Sequence, residues 1–208
     1  MNFTGIKNII FDLGDVIINI DPPRTYQAFA DLKGISLEEA YKVVDDNAFF
    51  DKYDKGQFTD QGFVDYVKEK LQLSNPDHEI ITAWNALLLD MPKERIERIQ
   101  ELSNKYTVYL LSNTCSLHIK EVNKILYTFS GVKNLKDLFK TAYYSFDLGL
   151  RKPDKNIYTT VLADANIKAE ETLFLDDNLQ NIEAAQSLGI NCIHVQKPTT
   201  MLDYLKDA

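Results

Sequence analysis

Several polar side chains of this sequence stand where predicted strands end, or just ahead of a predicted helix. They are Asp12, Ser112, Asn113, Thr114, Lys152, Asp176 and Asp177. Ligands of open parallel sheets bind beyond the carboxyl ends of the strands, so one shared edge would bring these groups together. Such a site suits a small anionic substrate, because a lysine, a helix N-terminus or a metal ion can supply the positive field that the substrate needs.

The elements that would position these residues are short apolar runs alternating with helical stretches. The predicted strands are 7–13, Thr107–Ser112, Thr141–Ser145, Thr172–Asp176 and Asn191–Val195. The predicted helices between them are Lys93–Asn104, Ser116–Leu126, Asp154–Ala165 and Asn178–Leu188. This alternation predicts an α/β fold with a Rossmann-like parallel sheet and helices on both faces.

The segment from Asp21 to about Asp90 breaks the alternation. Its helix-start signals are Asp21 ahead of two prolines, Ser36 with Glu39 in a capping box, Thr59 and Pro76. Four helices in succession predict an inserted α-helical bundle. The expected domains are a catalytic core of residues 1–20 and 91–208 and a helical cap of residues 21–90, with hinges near 18–21 and 90–92.

Composition narrows the class of protein. The 208 residues are 45% hydrophobic and 26% charged, which is typical of a globular chain. No apolar stretch approaches the roughly 20 residues of a membrane span, and the first residues lack a signal-peptide hydrophobic region, so we expect no membrane partner and a cytoplasmic location. A net charge of −8 without a Lys/Arg run argues against a nucleic-acid partner. Cys115 and Cys192 are expected to be free thiols.

Four motifs resemble those of the haloacid dehalogenase-like hydrolases and occur in that family's order. They are Phe11–Val16, Leu111–Thr114, Arg151–Asp154 and Leu175–Asn178. The helical segment after the first motif looks like the family's helical cap, so the resemblance covers essentially the whole chain. The match is closest to a branch that includes bacterial sugar-1-phosphate phosphatases, which also carry Asp-Leu-Gly in the first motif.

The resemblance implies a Mg²⁺-dependent phosphomonoester hydrolase acting on a small phosphorylated metabolite, such as a sugar phosphate. Asp12 would attack phosphorus and form an aspartyl-phosphate. Mg²⁺ would be held by Asp12, the Gly14 main-chain carbonyl and Asp177, and would offset charge repulsion between carboxylate and phosphate. Asp176 would be a direct ligand or an outer-sphere partner.

The same resemblance implies roles around the phosphoryl group. Lys152 would contact both Asp12 and the phosphoryl oxygens as a point charge. The Ser112 hydroxyl and the Asn113 backbone N–H would hold those oxygens as charge redistributes.

The first motif departs from the family pattern at Gly14. Most phosphatases of the family carry a second aspartate there, which serves as general acid and then as general base. A missing acid/base costs about 10²–10⁴-fold in rate. We therefore expect either an activated leaving group, such as an anomeric sugar oxygen, or a proton from Asp15 or a cap residue. The Asp15 side chain itself is expected to point elsewhere.

Substrate choice is expected to lie with the cap segment 47–58, predicted to join two cap helices. Tyr53 and Lys55 are its candidate substrate contacts. Phe49, Phe50 and Phe58 are expected to pack inside the bundle.

Three other functions fit parts of the pattern. A 2-haloacid dehalogenase-type hydrolase needs no metal and tolerates Gly14, but leaves the pair Asp176–Asp177 unexplained. A phosphoacceptor signalling module uses similar groups, with its acidic pair near the N-terminus and no helical insertion. A non-catalytic phospho-ligand-binding protein would have lost turnover through Gly14.

Overall fold

The computed structural model describes residues 3–44 and 47–208. Its strands are β1 (Asn8–Phe11), β2 (Thr107–Ser112), β3 (Thr141–Tyr144), β4 (Thr172–Asp176) and β5 (Asn191–His194). Its helices are α1 (Pro23–Lys33), α2 (Leu37–Val44), α3 (Asn47–Asp54), α4 (Asp60–Leu71), α5 (Asp77–Asn85), α6 (Lys93–Leu102), α7 (Ser116–Ser130), α8 (Ser145–Leu148), α9 (Lys155–Ala165), α10 (Leu179–Gln186) and α11 (Met201–Leu205). Residues 1–2 of the predicted core and 45–46 of the predicted cap lie outside the described residues.

The strands form one parallel sheet in the order β3-β2-β1-β4-β5. The first strand is therefore central, and Phe11 lies opposite Leu110 on one side and Leu175 on the other. One residue further along, Asp12 leaves the sheet beside Asp176. The predicted α/β fold is confirmed.

Side chains of the central strand alternate between two buried faces. Ile9 and Phe11 belong to one apolar cluster and Ile10 to the other. Residues of α6, α7 and α11 complete the first cluster, and residues of α9 and α10 complete the second. A strand covered on both faces must be apolar throughout, which is why these runs carry no polar alternation.

Helices α1 to α5 follow β1 and precede α6 in the sequence, and they form a third buried apolar cluster. Its large members are Phe29, Phe49, Tyr53, Phe63, Leu71 and Ile80. Cys115 and Leu117 belong to the same cluster, so the helical insertion packs onto the start of α7. The division into a core and a cap at residues 20/21 and 90/91 stays a prediction.

The segment 47–58 contains a helix that the sequence did not predict. With α3 included, the described insertion has five helices, so the prediction of four was wrong. Phe49 is buried and stacks on Tyr66, with ring centroids 3.5 Å apart, and the half-buried Phe50 stacks on Trp84. Aromatic residues have modest intrinsic helix propensity, so these tertiary contacts determine α3. Phe58 is 38% exposed, and its predicted burial was wrong because it lies beyond the helix, in the following turn.

Two of the predicted helix-start signals are present as expected. Ser36 and Glu39 form the capping box, with N–H donors bonded at 2.9 and 3.2 Å. Thr59 Oγ1 accepts from the Gly62 N–H at 3.1 Å. Asp21 is not an N-cap, because Pro22 already has helical dihedrals (φ −53°, ψ −38°) and occupies the capping position.

The two chain segments that connect the insertion to the sheet run antiparallel and bond to each other. The Asn19 N–H donates to Asp90 at 2.9 Å, and the Leu89 N–H donates back to Asn19 at 3.0 Å. The Asp21 N–H donates to Leu87 at 2.9 Å. The predicted hinges overlap this paired region at residues 19–21 and at Asp90, and their motion stays a prediction.

The helices among the described residues include none long and apolar enough to cross a membrane. Both cysteines are free, as predicted. Cys115 is buried and Cys192 is half-buried.

Candidate active site

Asp12 lies at the centre of the sheet's carboxyl edge because it directly follows the central strand. Its N–H donates to the Leu175 carbonyl at 2.9 Å, which extends the pairing of β1 with β4 by one residue. The side chain is largely buried, with 8% of the residue exposed. The backbone is thus fixed while one carboxylate remains at the mouth of the sheet.

Lys152 joins the two carboxylates of this edge. Its ammonium lies 2.7 Å from Asp12 Oδ1 and 2.7 Å from Asp176 Oδ2, and donates to the Leu111 carbonyl at 3.0 Å. The side chain is 1% exposed. Buried charges require partners of this kind. The sequence prediction that Lys152 reaches Asp12 agrees with this distance.

Asp176 is held by more than the lysine. Asn181 Nδ2 donates to both of its carboxylate oxygens, at 3.0 and 3.1 Å, and the Asn178 N–H donates at 2.8 Å. Asp176 is fully buried. Its oxygens are therefore oriented before any ligand arrives.

Three carboxylates can share a metal ion at this edge. Asp12, Asp176 and Asp177 each offer one oxygen, and these oxygens lie within 4.8 Å of one another. Carboxylate oxygens are the ligands that Mg²⁺ prefers. Gly14 lies two residues beyond Asp12, in the turn that bridges to Ile18, and its carbonyl as a fourth ligand stays a prediction.

The carboxylates are crowded. Burial and the charge of Asp176 raise the pKa of Asp12 to about 7, although Lys152 opposes the shift. Burial and Asp176 also raise the pKa of Asp177. Burial opposes the charge of Lys152, but Asp12 and Asp176 raise its pKa overall. The cluster therefore favours an additional cation beyond the lysine.

The loop after β2 is tied to the loop that carries the lysine. Asn113 Nδ2 donates to the Lys152 carbonyl, and the Lys152 N–H donates to Asn113 Oδ1, both at 2.8 Å. The Asn113 side chain therefore positions Lys152, a role that the sequence did not reveal. Ser112 is 2% exposed at the end of β2, and its contact with phosphoryl oxygens stays a prediction.

The Asp15 carboxylate is engaged by groups other than Asp12. Its Oδ1 accepts from the Ile20 N–H at 3.2 Å and lies 2.8 Å from Lys197 Nζ. A Cβ built at Gly14 would come within 2.9 Å of Ile20 Cδ1, so Ile20 occupies part of the space that a side chain at Gly14 would need.

The two candidate substrate contacts lie in and after α3. Tyr53 is 2% exposed, its ring packs 4.4 Å from that of Phe63, and its hydroxyl donates to Asp60 at 3.0 Å. In this arrangement Tyr53 packs within the bundle. Lys55 is half-buried in the turn that follows. Contact of either residue with substrate stays a prediction.

Arg151, next to the buried lysine, bonds the insertion instead of the sheet. Its Nη1 pairs with Asp51 of α3, and its Nη2 lies 3.7 Å from Asp54 Oδ2. A second set of polar contacts joins Asp60 to Ser116 and Lys120 at the start of α7. Helix α3 thus contacts the loop that carries Lys152, and helix α4 contacts the first turns of α7.

Gly56 of the insertion lies close to the backbone of Phe146, at the start of α8. It has φ +67°, and a Cβ there would overlap the carbonyl oxygen of Phe146. We expect Gly56→Ala to lower the free energy of unfolding by about 1–2 kcal/mol for the left-handed backbone, and by about 1–3 kcal/mol more for the overlap. Urea unfolding measures the loss.

Gly34→Ala is the matched control. Gly34 has φ +72°, but an added Cβ there would meet nothing within 4 Å. Equal losses of stability for the two variants would contradict the close approach at Gly56.

The family model of the haloacid dehalogenase-like hydrolases matches residues 6–189 of the chain, a range that includes all of the edge residues described above. The chain belongs to the haloacid dehalogenase-like hydrolase family. A D-ribitol-5-phosphate phosphatase of Bacteroides thetaiotaomicron is 29% identical over 184 residues, which cover 88% of this chain and 89% of that protein.

Solved structures of the family show the same architecture. One enzyme of this family from Bacteroides thetaiotaomicron superposes with a TM-score of 0.90 at 33% identity, covering 97% of this chain and 99% of that chain. A structure of a Bacteroides thetaiotaomicron family enzyme in complex with magnesium and inorganic phosphate gives a TM-score of 0.88 at 32% identity, covering 96% of this chain and 98% of that chain. A dehalogenase at 17% identity and a TM-score of 0.62 shares the fold.

Within this hydrolase site, sequence reasoning missed Asn181 and Arg151. Asn181 stands in the first turns of α10, five residues after Asp176, a spacing that returns a side chain towards the strand end. The position of Arg151 depends on α3, which was not predicted, so no local signal could have indicated its partners.

Proposed function

We propose that this hydrolase is a Mg²⁺-dependent phosphatase that cleaves a phosphomonoester of a small metabolite through an aspartyl-phosphate on Asp12. The observation that carries the proposal is the contact of the Asp12 carboxylate with a buried lysine, beside two further carboxylates able to share one cation. A phosphate dianion needs both positive charges to approach a carboxylate nucleophile.

The donor set fits magnesium. Asp12, Asp176 and Asp177 supply oxygen atoms, and described His or Cys residues are absent from this cluster. Burial and the charge of Asp176 raise the pKa values of Asp12 and Asp177, and a divalent ion would favour the ionised carboxylates. When bound, the ion would neutralise charge on the transferring phosphoryl group.

In the first step, a carboxylate oxygen of Asp12 forms a bond to phosphorus while the bond to the leaving oxygen breaks. The electron pair of that bond stays on the leaving oxygen, which then takes up a proton. Lys152 lies 2.7 Å from Asp12 Oδ1 and is placed to balance negative charge on the phosphoryl oxygens. We assign to the Ser112 hydroxyl and the Asn113 backbone N–H the hydrogen bonds to the remaining phosphoryl oxygens.

In the second step, water attacks phosphorus, the bond between phosphorus and the Asp12 oxygen breaks, and inorganic phosphate leaves. One proton of the water must be removed during the attack. Division into two steps replaces one difficult displacement by two easier ones. Acid quenching during turnover of a ³²P-labelled ester should trap label on Asp12 in a hydroxylamine-sensitive form.

The substrate class that we propose is a phosphorylated sugar or polyol. The support is the relative named for D-ribitol-5-phosphate, which matches nearly the whole chain. The net charge of −8 favours a small anion drawn to a local cationic site over a polyanion.

The test of the function is phosphate release from a panel of sugar, polyol and nucleotide phosphates, with Mg²⁺ or with EDTA. We expect at least one polyol or sugar phosphate to be hydrolysed. Removal of the ion should lower the rate by about 10²-fold or more, since it contributes several kcal/mol to the transition state.

Two results would contradict the proposal. One is the absence of phosphate release from every ester despite measurable ligand binding, which would indicate a binding protein. The other is release of halide from a 2-haloacid at the same rate with and without EDTA, which would indicate a dehalogenase.

A further inference from the structure

A phosphatase that releases an alcohol must give a proton to the leaving oxygen, because an alkoxide is a poor leaving group at neutral pH. The other carboxyls of the acidic cluster, and the carboxyl of Asp15, are already engaged by other groups. Asp176 bonds to Lys152 and Asn181, and Asp177 belongs to the acidic cluster. Asp15 pairs with Lys197 and with the Ile20 N–H. Gly14 has no side chain to offer.

The carboxyl of Asp54 lies next to the loop that carries the lysine. Asp54 is the last residue of α3, and its Oδ2 lies 3.7 Å from Nη2 of Arg151, the neighbour of Lys152. Burial raises the pKa of Cys115, which follows the loop of Ser112 and Asn113, and the charge of Asp54 adds to that shift. Asp54 therefore lies beside the loop that carries the buried lysine.

The leaving oxygen should point toward this side of the site. In phosphoryl transfer the attacking and leaving oxygens lie roughly in line through phosphorus. Asp12 attacks from the edge of the sheet, so the alcohol departs away from the sheet. The insertion is bonded across this edge through Asp51 and Arg151, and α3 packs against α8.

The surroundings of Asp54 favour its neutral form. Its side chain is 22% exposed, and burial raises its pKa to about 7. The Arg151 guanidinium, 3.7 Å away, opposes this shift, but it is beyond hydrogen-bond distance from Asp54 and bonds Asp51. Among titratable groups of neighbouring elements, Cys115 ahead of α7 interacts with the charge of Asp54, and Asp147 lies on α8, which packs against α3.

Arg151, beside Asp54, also has a hydrogen-bond donor without a partner. Among the described residues, Arg151 Nε is buried without a hydrogen-bond partner. A buried N–H without an acceptor costs free energy, and a hydroxyl of a bound substrate would satisfy it. Arg151, which lies beside Asp54, therefore carries a donor suited to a hydroxyl of a polyhydroxylated leaving group.

We propose that Asp54 is the general acid and base of this site, replacing the carboxyl that Gly14 lacks. Protonated Asp54 gives its proton to the leaving oxygen as the bond from that oxygen to phosphorus breaks. The resulting carboxylate removes a proton from the water that attacks the aspartyl-phosphate, which regenerates the acid. The assignment rests on the proposed phosphatase function.

The test compares two substrates in the Asp54→Asn variant. Ribitol 5-phosphate has an alkoxide leaving group, whereas p-nitrophenyl phosphate releases a stable phenolate that needs no proton. We expect kcat to fall about 10²–10⁴-fold on ribitol 5-phosphate and less than about tenfold on p-nitrophenyl phosphate. The decline of the wild-type rate above about pH 7 should disappear in the variant.

Asp51→Asn is the matched control. It removes the carboxylate that bonds Arg151 on the same helix and keeps Asp54, so both rates should fall less than about tenfold. Equal loss of both rates in Asp54→Asn, or no loss of either, would overturn the assignment. Selective loss of alkyl phosphate turnover in Asp15→Asn would also overturn it in favour of Asp15.

The design separates this assignment from the phosphatase function. Magnesium-dependent turnover of p-nitrophenyl phosphate by the wild type supports the function whatever Asp54 does. Absence of phosphate release by the wild type from both esters would contradict the function and the assignment together.

Discussion

Asp12→Asn is expected to lower phosphate release by about 10⁴-fold or more, because the amide removes the nucleophile that starts the first step. The fold should persist, since the Asp12 N–H bond to Leu175 and the pairing of β1 do not involve the side chain. Steady-state assays with Mg²⁺ and the best ester of the panel measure the loss. Turnover within tenfold of wild type would exclude Asp12 as the nucleophile.

The same variant should be at least as stable as the wild type when metal is removed. Asp12, Asp176 and Lys152 carry two negative charges and one positive charge, so the amide leaves a balanced pair. The pKa of Asp12 is about 7 in the folded protein against an ordinary value of 3.8. Between these values the folded protein binds more protons than the unfolded chain, so its stability falls as pH rises.

The substitution removes that pH-dependent loss. We expect Asp12→Asn to exceed the wild type by about 1–4 kcal/mol in free energy of unfolding at pH 8 with EDTA, and by much less at pH 5. Thermal unfolding at the two pH values checks the difference. A variant less stable than wild type at pH 8 would contradict the charge balance at this edge.

The sheet and most of the edge could be predicted because the information is local. A strand buried on both faces must be apolar, and the residue that follows it is the first that can be polar, as at Asp12 and Asp176. The parallel register of β1 and β4 then places these two strand ends side by side. The Asp12–Lys152 contact, by contrast, was implied by the family resemblance and not by any local pattern.

The contacts that hold the site could not be read from the sequence, because they join distant segments. Asn113 and Lys152 are 39 residues apart, and Asp51 and Arg151 are 100 apart. Helix α3 depends on rings supplied by α4 and α5, such as Phe63 and Trp84. The burial that raises the pKa of Asp54 is a consequence of that packing, so no property of residues 47–58 alone indicated it.

Lys152→Met should be as inactive as Asp12→Asn but should change stability in the opposite direction. The Lys152 ammonium pairs with both Asp12 and Asp176. Its removal therefore leaves these two buried carboxylates together without that cation. Breaking a buried pair in this way costs about 3–5 kcal/mol. Urea unfolding at pH 8 in EDTA should show that loss, and phosphate release should fall about 10³-fold or more.

The double variant Lys152→Met/Asp12→Asn separates charge from packing. Loss of the second carboxylate removes the repulsion, while Asn181 and the Asn178 N–H still bond Asp176. The double variant should therefore be more stable than Lys152→Met, by about 1–3 kcal/mol at pH 8. At pH 5, where Asp12 is protonated in the folded protein, the two should converge. Equal stability of the two variants at pH 8 would show that Lys152 acts through packing of its side chain, and that the repulsion between Asp12 and Asp176 contributes little.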